Sequence, residues 1–176
     1  MRITIGSIIE VPTKLGYAYL QYSHRSRPYG KTLRVLDGFY KKRPNKKEFD
    51  ELVQKPHLYY VITSLPWWED LDPYEVIGKY SIPDFAKTFP TFKGGDYDSD
   101  TGKSCNWYLW DGDKEWRPEN GKLTKEEAGY PMLLIYSYKS IIGRLERGWK
   151  PEDEVHPDDY IPNGPQKCGS LSCVSQ

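Results

Sequence analysis

The feature that most constrains this chain is a series of short apolar and aromatic segments that end at proline. Proline has no backbone N–H and interrupts a sheet ladder, so each segment has the length of one strand. Together with the alternating aromatic segment YAYLQYS (17–23), they predict a β meander or a partly open small barrel over the first hundred residues. Three of these segments are SIIEV, LYYVITSL and YEVIGKYSI, which end at Pro12, Pro66 and Pro83.

One helix is predicted after this first set of strands. Asn45 and Glu48 have the spacing of a capping box, and apolar residues at helical spacing follow them. The pattern predicts a short amphipathic helix over 46–54, which Pro56 ends. The fold class predicted for the chain is α+β, mostly antiparallel, with two or three short helices and an extended C-terminal tail.

The second half of the chain predicts fewer regular elements. CNWYLW (105–110) reads as a strand, and the turn after it predicts a hairpin. MLLIY (132–136) is too short to distinguish a strand from a helical turn. Ser137 or Ser140 can begin a helix that ends at Gly148. We therefore predict one domain over residues 1–150 and a poorly ordered tail, rich in proline, glycine and acids, over 151–176.

Charge is divided unevenly along a chain of 176 residues whose formal net charge is zero. Residues 1–60 carry twelve Lys/Arg and five Asp/Glu, and residues 61–176 carry thirteen and twenty. This division favours a protein partner over a nucleic-acid backbone, because a nucleic-acid binder needs a dominant basic footprint. The basic run KKRPNKK (41–47) is interpreted as the solvated start of the predicted helix, so no nucleic-acid partner is expected.

The sequence also indicates where the protein works. Its start, MRITIGSIIEVP, lacks the apolar run of a secretory signal, and eighteen consecutive apolar residues occur nowhere. Three cysteines are an odd number, which favours a reducing compartment over a disulfide framework. We expect a cytoplasmic protein without a membrane partner.

The stretch GGDYDSDTGKS (94–104) resembles two ligand-binding loops in part. It ends like a phosphate-binding loop, but the first glycine of that motif is misplaced by two residues and a strand, rather than a helix, is predicted to follow. Asp96, Asp98 and Asp100 have the spacing of the first calcium ligands, but the closing glutamate is missing, since position 12 is Trp107. A solvated turn between two strands is the favoured interpretation, and a weak cation site stays open.

No arrangement of residues predicts catalysis. The three histidines, His24, His57 and His156, are far apart in sequence, and no nucleophile-elbow or zinc-protease motif is present. We predict no enzymatic activity, no catalytic residue, no metal and no cofactor. The alternative is a small enzyme, or a metal- or nucleotide-dependent binding module, that uses the loop from Asp96 to Asp100.

The segment PWWEDLDPY (66–74) is a candidate binding surface. In an extended chain Trp67 and Trp68 point to opposite faces, so one ring can be buried while the other stays accessible. The acids beside them would form a charged rim around an aromatic anchor, as at a protein-interface hot spot. Burial of both rings in the core is the competing interpretation.

The order of several segments resembles a known family. Residues 6–12, GSIIEVP, resemble the opening strand of the immunity protein 26 family, whose members accompany bacterial polymorphic toxins. The resemblance covers about residues 4–150, with Ser7 at a position where the family usually has aspartate and Tyr74 near an expected tryptophan. Four further segments resemble its later pieces in the same order: GYAY (16–19), VIG with IP (76–78 and 82–83), WDG (110–112) and IGRLERGW (142–149).

The resemblance implies an α+β domain that binds and neutralises one cognate toxin without catalysis. Such a protein needs a stable scaffold and a specific charged and aromatic surface. If the toxin is a nuclease, two acidic segments could occupy its basic substrate groove. The predicted partner-binding residues are Trp67, Trp68, Glu69, Asp70, Asp72, Asp96, Asp98 and Asp100.

Overall fold

The computed structural model describes residues 3–64, 73–98 and 103–161. The chain divides into two compact units, and the first, Met1–Pro90 with Leu133–Lys150, is discontinuous in sequence. The second unit comprises Thr91–Met132 and Pro151–Gln176. The fold class is α+β with mostly antiparallel sheet, as the sequence predicts, and the expectation that residues 1–150 act as one domain stays a prediction.

The described residues contain ten strands and three α-helices. The strands are β1 (Ser7–Thr13), β2 (Gly16–Ser26), β3 (Gly30–Leu36), β4 (His57–Thr63), β5 (Glu75–Lys79), β6 (Phe92–Asp98), β7 (Lys103–Trp110), β8 (Glu115–Trp116), β9 (Leu123–Thr124) and β10 (Tyr160–Ile161). The helices are α1 (Lys46–Gln54), α2 (Lys125–Ala128) and α3 (Tyr138–Glu146).

The first unit is built on a five-stranded antiparallel sheet with the order β4-β3-β2-β1-β5. The first four strands form a meander, and β5 pairs with the free edge of β1. The sheet has two edges and does not close on itself, so the meander prediction is confirmed and the barrel alternative is not. Strand β3 ends at Leu36, and the chain turns at Gly38, whose φ is +102°.

Helix α1 covers one face of this sheet and has the bounds that the sequence predicts. The Asn45 side chain accepts a hydrogen bond from the Glu48 backbone N–H at 3.1 Å, and the Glu48 carboxylate accepts one from the Asn45 N–H at 2.6 Å. This capping box satisfies two N–H groups that the helix cannot pair internally. The helix packs its apolar side against the sheet in a core of Ile8, Tyr19, Leu36, Phe49, Leu52 and Val53.

Helix α3 also belongs to the first unit and begins at the predicted cap. The Ser137 hydroxyl accepts a hydrogen bond from the Ser140 N–H at 3.2 Å, and Gly148 follows the helix with a φ of +64°, as expected of a terminating glycine. The preceding segment is neither of the two elements considered for it. It is an irregular strand-like stretch, in which the Tyr136 N–H donates to the Ile62 carbonyl at 2.8 Å.

The second unit contains a three-stranded antiparallel sheet, β6-β7-β8. The predicted hairpin turn between β7 and β8 is present, and its Asp111 carboxylate accepts hydrogen bonds from two backbone N–H groups of the turn. Two short strands, β9 and β10, pair in parallel. The segment 151–161, predicted as the start of a poorly ordered tail, forms two 3-10 helices, Pro151–Glu154 and Pro157–Asp159, followed by β10.

Candidate functional site

Six of the eight predicted partner-binding residues lie outside the part of the chain that the structure describes. Of the other two, Asp96 and Asp98 lie on β6, and the Asp96 side chain is exposed and accepts a hydrogen bond from the Asn106 side-chain amide at 3.0 Å. The two strands that the turn interpretation predicts are present, but β6 continues through Asp96 to Asp98 and pairs with β7 from Lys103 onward, so the predicted turn is partly strand. The six predicted residues outside the described part of the chain are Trp67, Trp68, Glu69, Asp70, Asp72 and Asp100.

The two compact units have opposite net charges. The first contains eighteen Lys/Arg and eleven Asp/Glu, for a net charge of +7, and the second contains seven and fourteen, for a net charge of −7. The imbalance that the sequence shows between residues 1–60 and 61–176 is therefore also an imbalance between folded units. This result does not depend on which residues the chain places at each surface, because it counts every residue of each unit.

An acidic surface forms in the second unit where α2 meets the 3-10 helix Pro151–Glu154. The fully buried Lys93 on β6 joins these two elements, because its ammonium donates to the Ala128 carbonyl at the end of α2 and to the Pro151 carbonyl at 2.8 Å. We call this the acidic surface and define it as Glu126, Glu127, Glu152, Asp153 and Glu154; Glu126, Glu152 and Asp153 are exposed.

Burial lowers the pKa of Lys93 from its ordinary 10.5 to about 8, and the carboxylates of Glu152, Glu154 and Asp153 oppose that shift. The ammonium is therefore charged at neutral pH, although it is removed from water. Its charge is balanced by the dipoles of two carbonyls and by the acids of the acidic surface. One buried cation thus holds together the backbone that presents these acids.

We expect Lys93 to make the free energy of unfolding rise with pH. Between pH 8 and 10.5 the unfolded chain binds a proton at this lysine that the folded chain has lost, so the free energy of unfolding increases by about 3 kcal/mol over that interval. In Lys93→Met this component should be absent. Urea unfolding at several pH values measures it, with the exposed Lys122→Met as the matched control; equal pH slopes for wild type and Lys93→Met would contradict the assignment.

In the first unit, a groove of about 430 Å³ lies beside α1. Lys42, Glu48, Glu51 and Tyr40 are among the residues that line it, so its lining has mixed charge and one aromatic ring. Arg43 also lines the groove and belongs to a polar network around the buried Glu10. This groove lies on the basic run that the sequence analysis interpreted as the solvated start of a helix.

The network around Arg43 holds a buried carboxylate on β1. Arg43 binds both oxygens of Glu10, at 2.9 and 2.7 Å, and pairs with Glu75. The Tyr19 hydroxyl donates to Glu10 at 2.9 Å. Burial alone would raise the pKa of Glu10, but the hydrogen bonds from Arg43 and Tyr19 outweigh it and leave the pKa below its ordinary 4.5. The network therefore connects β1, β2 and β5 with the start of α1.

A second polar group, Arg34 with His57, lies on the face of the sheet that α1 covers. Arg34 on β3 is fully buried; its Nε donates to the Gln21 side chain at 2.8 Å, and its Nη2 donates to the Val53 carbonyl. His57 begins β4, and burial, followed by the charge of Arg34, lowers its pKa to about 4. Phe85 packs against both, with its ring centre 5.7 Å from the Arg34 guanidinium carbon and 6.3 Å from the His57 ring.

His24 adds a third partly buried titratable group to this region. Its Nδ1 lies 3.0 Å from the Ser23 hydroxyl, and its Nε2 lies 3.0 Å from the Lys87 carbonyl. A serine–histidine pair of this kind resembles half of a catalytic triad, but the serine is buried and a carbonyl stands where a triad has its carboxylate. The geometry fits a hydrogen-bonded structural contact between β2 and the segment that follows the 3-10 helix Asp84–Ala86.

Sequence reasoning missed Glu10, Arg34, Lys93 and their partners as buried polar groups. A partial signal was present at Arg34, because it alternates with Leu33 and Val35 and so lies on a defined face of the strand. Whether that face is covered depends on α1, whose position relative to β3 the sequence pattern does not specify. The partners of Lys93 are carbonyls, which carry no side-chain signature at all.

Comparison with protein-family models, with curated proteins and with solved structures found no match. Among residues 3–64, 73–98 and 103–161, no helix is long and apolar enough to cross a membrane. In the same residues, no group of three or more His, Cys, Asp or Glu side chains has the geometry to hold a metal ion.

Proposed function

We propose that this chain is a non-enzymatic immunity protein that binds and neutralises a cognate bacterial toxin in the cytoplasm of the producing cell. The observation that carries the proposal is the opposite net charge of its two compact units, +7 and −7. A unit with this excess of acids attracts a basic protein surface over several ångströms, raises the association rate and disfavours acidic partners. The resemblance of residues 4–150 to the immunity protein 26 family supports the same function.

The acidic surface is the part of the second unit that we propose contacts the toxin, together with Asp96 and Asp98 on β6 and with Asp100, which lies outside the described residues. Its carboxylates lie on backbone held by the buried Lys93 and by the capping box of α2, in which Thr124 and Glu127 bond reciprocally. A rigid backbone lowers the conformational entropy lost on binding. A toxin whose substrate groove is basic, such as a nuclease, would match this surface.

The segment from Trp67 to Asp72 completes the proposal as the aromatic part of the interface. Its residues lie outside the described part of the chain, so their role rests on the sequence alone. An exposed tryptophan beside Glu69 and Asp70 would supply the buried anchor that a charged surface lacks.

The function is tested by expressing the product of the neighbouring gene in bacteria, with and without this chain, and measuring growth. We expect arrest with the neighbour alone and normal growth when the two are expressed together. A toxic neighbour that this chain neither binds nor relieves would overturn the proposed function.

The site is tested on the same pair by charge reversal. Glu152→Lys combined with Asp96→Lys should weaken binding about 100-fold or more at low salt, and the loss should shrink as NaCl is raised, because screening weakens charge attraction. The matched control is Glu51→Lys combined with Asp50→Lys on α1, which makes the same change of net charge on the first unit. An equal loss for both double variants would show that net charge, and not the acidic surface, determines affinity.

A further inference from the structure

Arg34 is a buried cation whose hydrogen-bonding capacity is incompletely used. A guanidinium has five N–H donors. Nε donates to the Gln21 side chain, and Nη2 donates to the Val53 carbonyl. The bond to Val53 caps the C-terminal end of α1. Nη1 is buried and has no hydrogen-bond partner, and no carboxylate among the described residues pairs with Arg34. A role in capping α1 therefore accounts for only part of this side chain.

A second donor without a partner lies in the same place. Nδ1 of His57 is also buried without a hydrogen bond. The His57 ring lies 4.2 Å from the ring of Tyr60, the residue that pairs directly with Arg34 across β3 and β4. Leaving a buried polar atom unpaired costs about 1–3 kcal/mol, and more when it is charged. The two atoms belong to side chains that contact the same aromatic ring, Phe85, so one ligand could satisfy both.

The same exposed ring covers both side chains. Phe85 is 55% exposed and belongs to a three-residue 3-10 helix, Asp84–Ala86, that follows Pro83. Its ring is parallel to that of His57 within 6° and contacts Arg34 through a cation–π interaction. Since Phe85 is not part of the buried core, its side chain can rotate toward solvent without opening the sheet.

We propose that Arg34 and His57 form an anion-binding site beneath Phe85 and that the site takes a carboxylate group. The two atoms without partners are both able to donate and the side chain of Arg34 carries a positive charge, so the ligand must be an acceptor with negative charge. One oxygen of a planar carboxylate can accept a hydrogen bond from Nη1 of Arg34, and its second oxygen can accept one from Nδ1 of the imidazole. The carboxylate can belong to a free acid or to an acidic side chain of a peptide.

Binding at this site should also change the protonation of His57. The groups that face His57 are Arg34 on β3, His24 on β2 and Tyr60 on β4; the charges of Arg34 and His24 disfavour its protonation. A bound carboxylate would offset them. The pKa of His57, about 4 in the free protein, should therefore rise on saturation, which gives a spectroscopic readout at the site itself.

The test is an NMR titration of the full-length protein that follows the imidazole signals of its three histidines. Sodium formate and a short peptide with one internal glutamate, both ends blocked, are added separately, with sodium chloride at matched ionic strength as the control. We expect a saturable shift of the His57 signal, half-complete at roughly millimolar formate, since so small a ligand offers few contacts. The signals of His156 should move no more than in chloride.

Three variants separate the site from a structural role. Arg34→Met should abolish the saturable shift, and His57→Phe, which keeps a ring without its nitrogens, should weaken formate binding at least tenfold as seen in the Arg34 side-chain N–H signals. Phe85→Ala removes the covering ring and leaves the core unchanged, so it should strengthen formate binding or speed the exchange of formate. If Arg34→Met does not fold, the result for Phe85→Ala decides between a binding site and a structural role.

Each outcome has a definite meaning. Saturable formate binding supports the site with a free acid as ligand, and binding of the peptide alone supports it with a protein partner as the source. The proposal is overturned if neither probe shifts the His57 signal more than sodium chloride does, both in the wild type and in Phe85→Ala. In that case the two atoms form hydrogen bonds with water. These results are independent of the toxin test, because the titrations use this protein alone and require no toxin.

Discussion

Replacing Trp107 by alanine is expected to destabilise the protein by about 3–5 kcal/mol, the range typical of deleting a large buried aromatic side chain. Trp107 lies at the centre of β7 and is only 1% exposed, and its ring packs closely over the backbone at Gly95 on β6. Urea unfolding followed by circular dichroism measures the change.

The chain contains a matched control for this substitution. Trp116 on the neighbouring strand β8 is 40% exposed, so Trp116→Ala should cost less than about 1.5 kcal/mol. A similar loss for both variants would mean that residue type, and not burial, determines the effect.

Replacing Arg43 by alanine is expected to cost about 2 kcal/mol at pH 7. The substitution leaves the carboxylate of Glu10 buried with only the Tyr19 hydroxyl as a partner. Loss of one partner from a fully buried ion pair costs about 3–5 kcal/mol, and Arg43 is about half exposed, so water compensates part of the loss. Lys42→Ala, an exposed neighbour that lines the same groove, should be near neutral.

The pH dependence of this loss has a definite sign. In the wild type the folded pKa of Glu10 lies below its ordinary 4.5, so the network contributes stability that is fully present above pH 4.5 and is lost as the pH falls through the folded pKa. The difference in unfolding free energy between wild type and Arg43→Ala should therefore shrink toward pH 3. In a Glu10→Gln background, Arg43→Ala should cost little at any pH; a full loss there would show that Arg43 acts through other contacts.

Local patterns predicted the regular elements of this protein well. The capping box of Asn45 and Glu48 determines where α1 begins, and the spacing of its apolar residues determines which face is buried. The strand 105–110 is recovered within β7, because alternation of aromatic residues is a property of the strand itself. Ser137 and Gly148 likewise bound α3 through contacts no more than five residues apart. Each of these signals lies within a few residues of the structure that it predicts.

The candidate site was less accessible to sequence reasoning. Asp96 is exposed, but it lies on β6 and not in the turn that the sequence predicts. The acidic surface joins residues about 25 positions apart through Lys93, which no local pattern indicates. The predicted role of Trp67, Trp68 and their acidic neighbours stays a prediction. The strand-like segment before α3 could not be assigned, because its hydrogen bonds are to β4, more than seventy residues earlier in the chain.

The sequence by itself determined the element types, the α+β class and the division of charge along the chain, because turn residues, caps and alternation act over a few positions. The tertiary structure decided which polar groups are removed from water. Glu10, Arg34 and Lys93 lie in segments where a polar residue could equally face solvent. Each is buried against partners from other elements: Arg43 and Tyr19 for Glu10, Gln21 and the Val53 carbonyl for Arg34, and the Ala128 and Pro151 carbonyls for Lys93. Burial converts an ordinary charged side chain into a group that must find partners, and these partners come from distant parts of the chain.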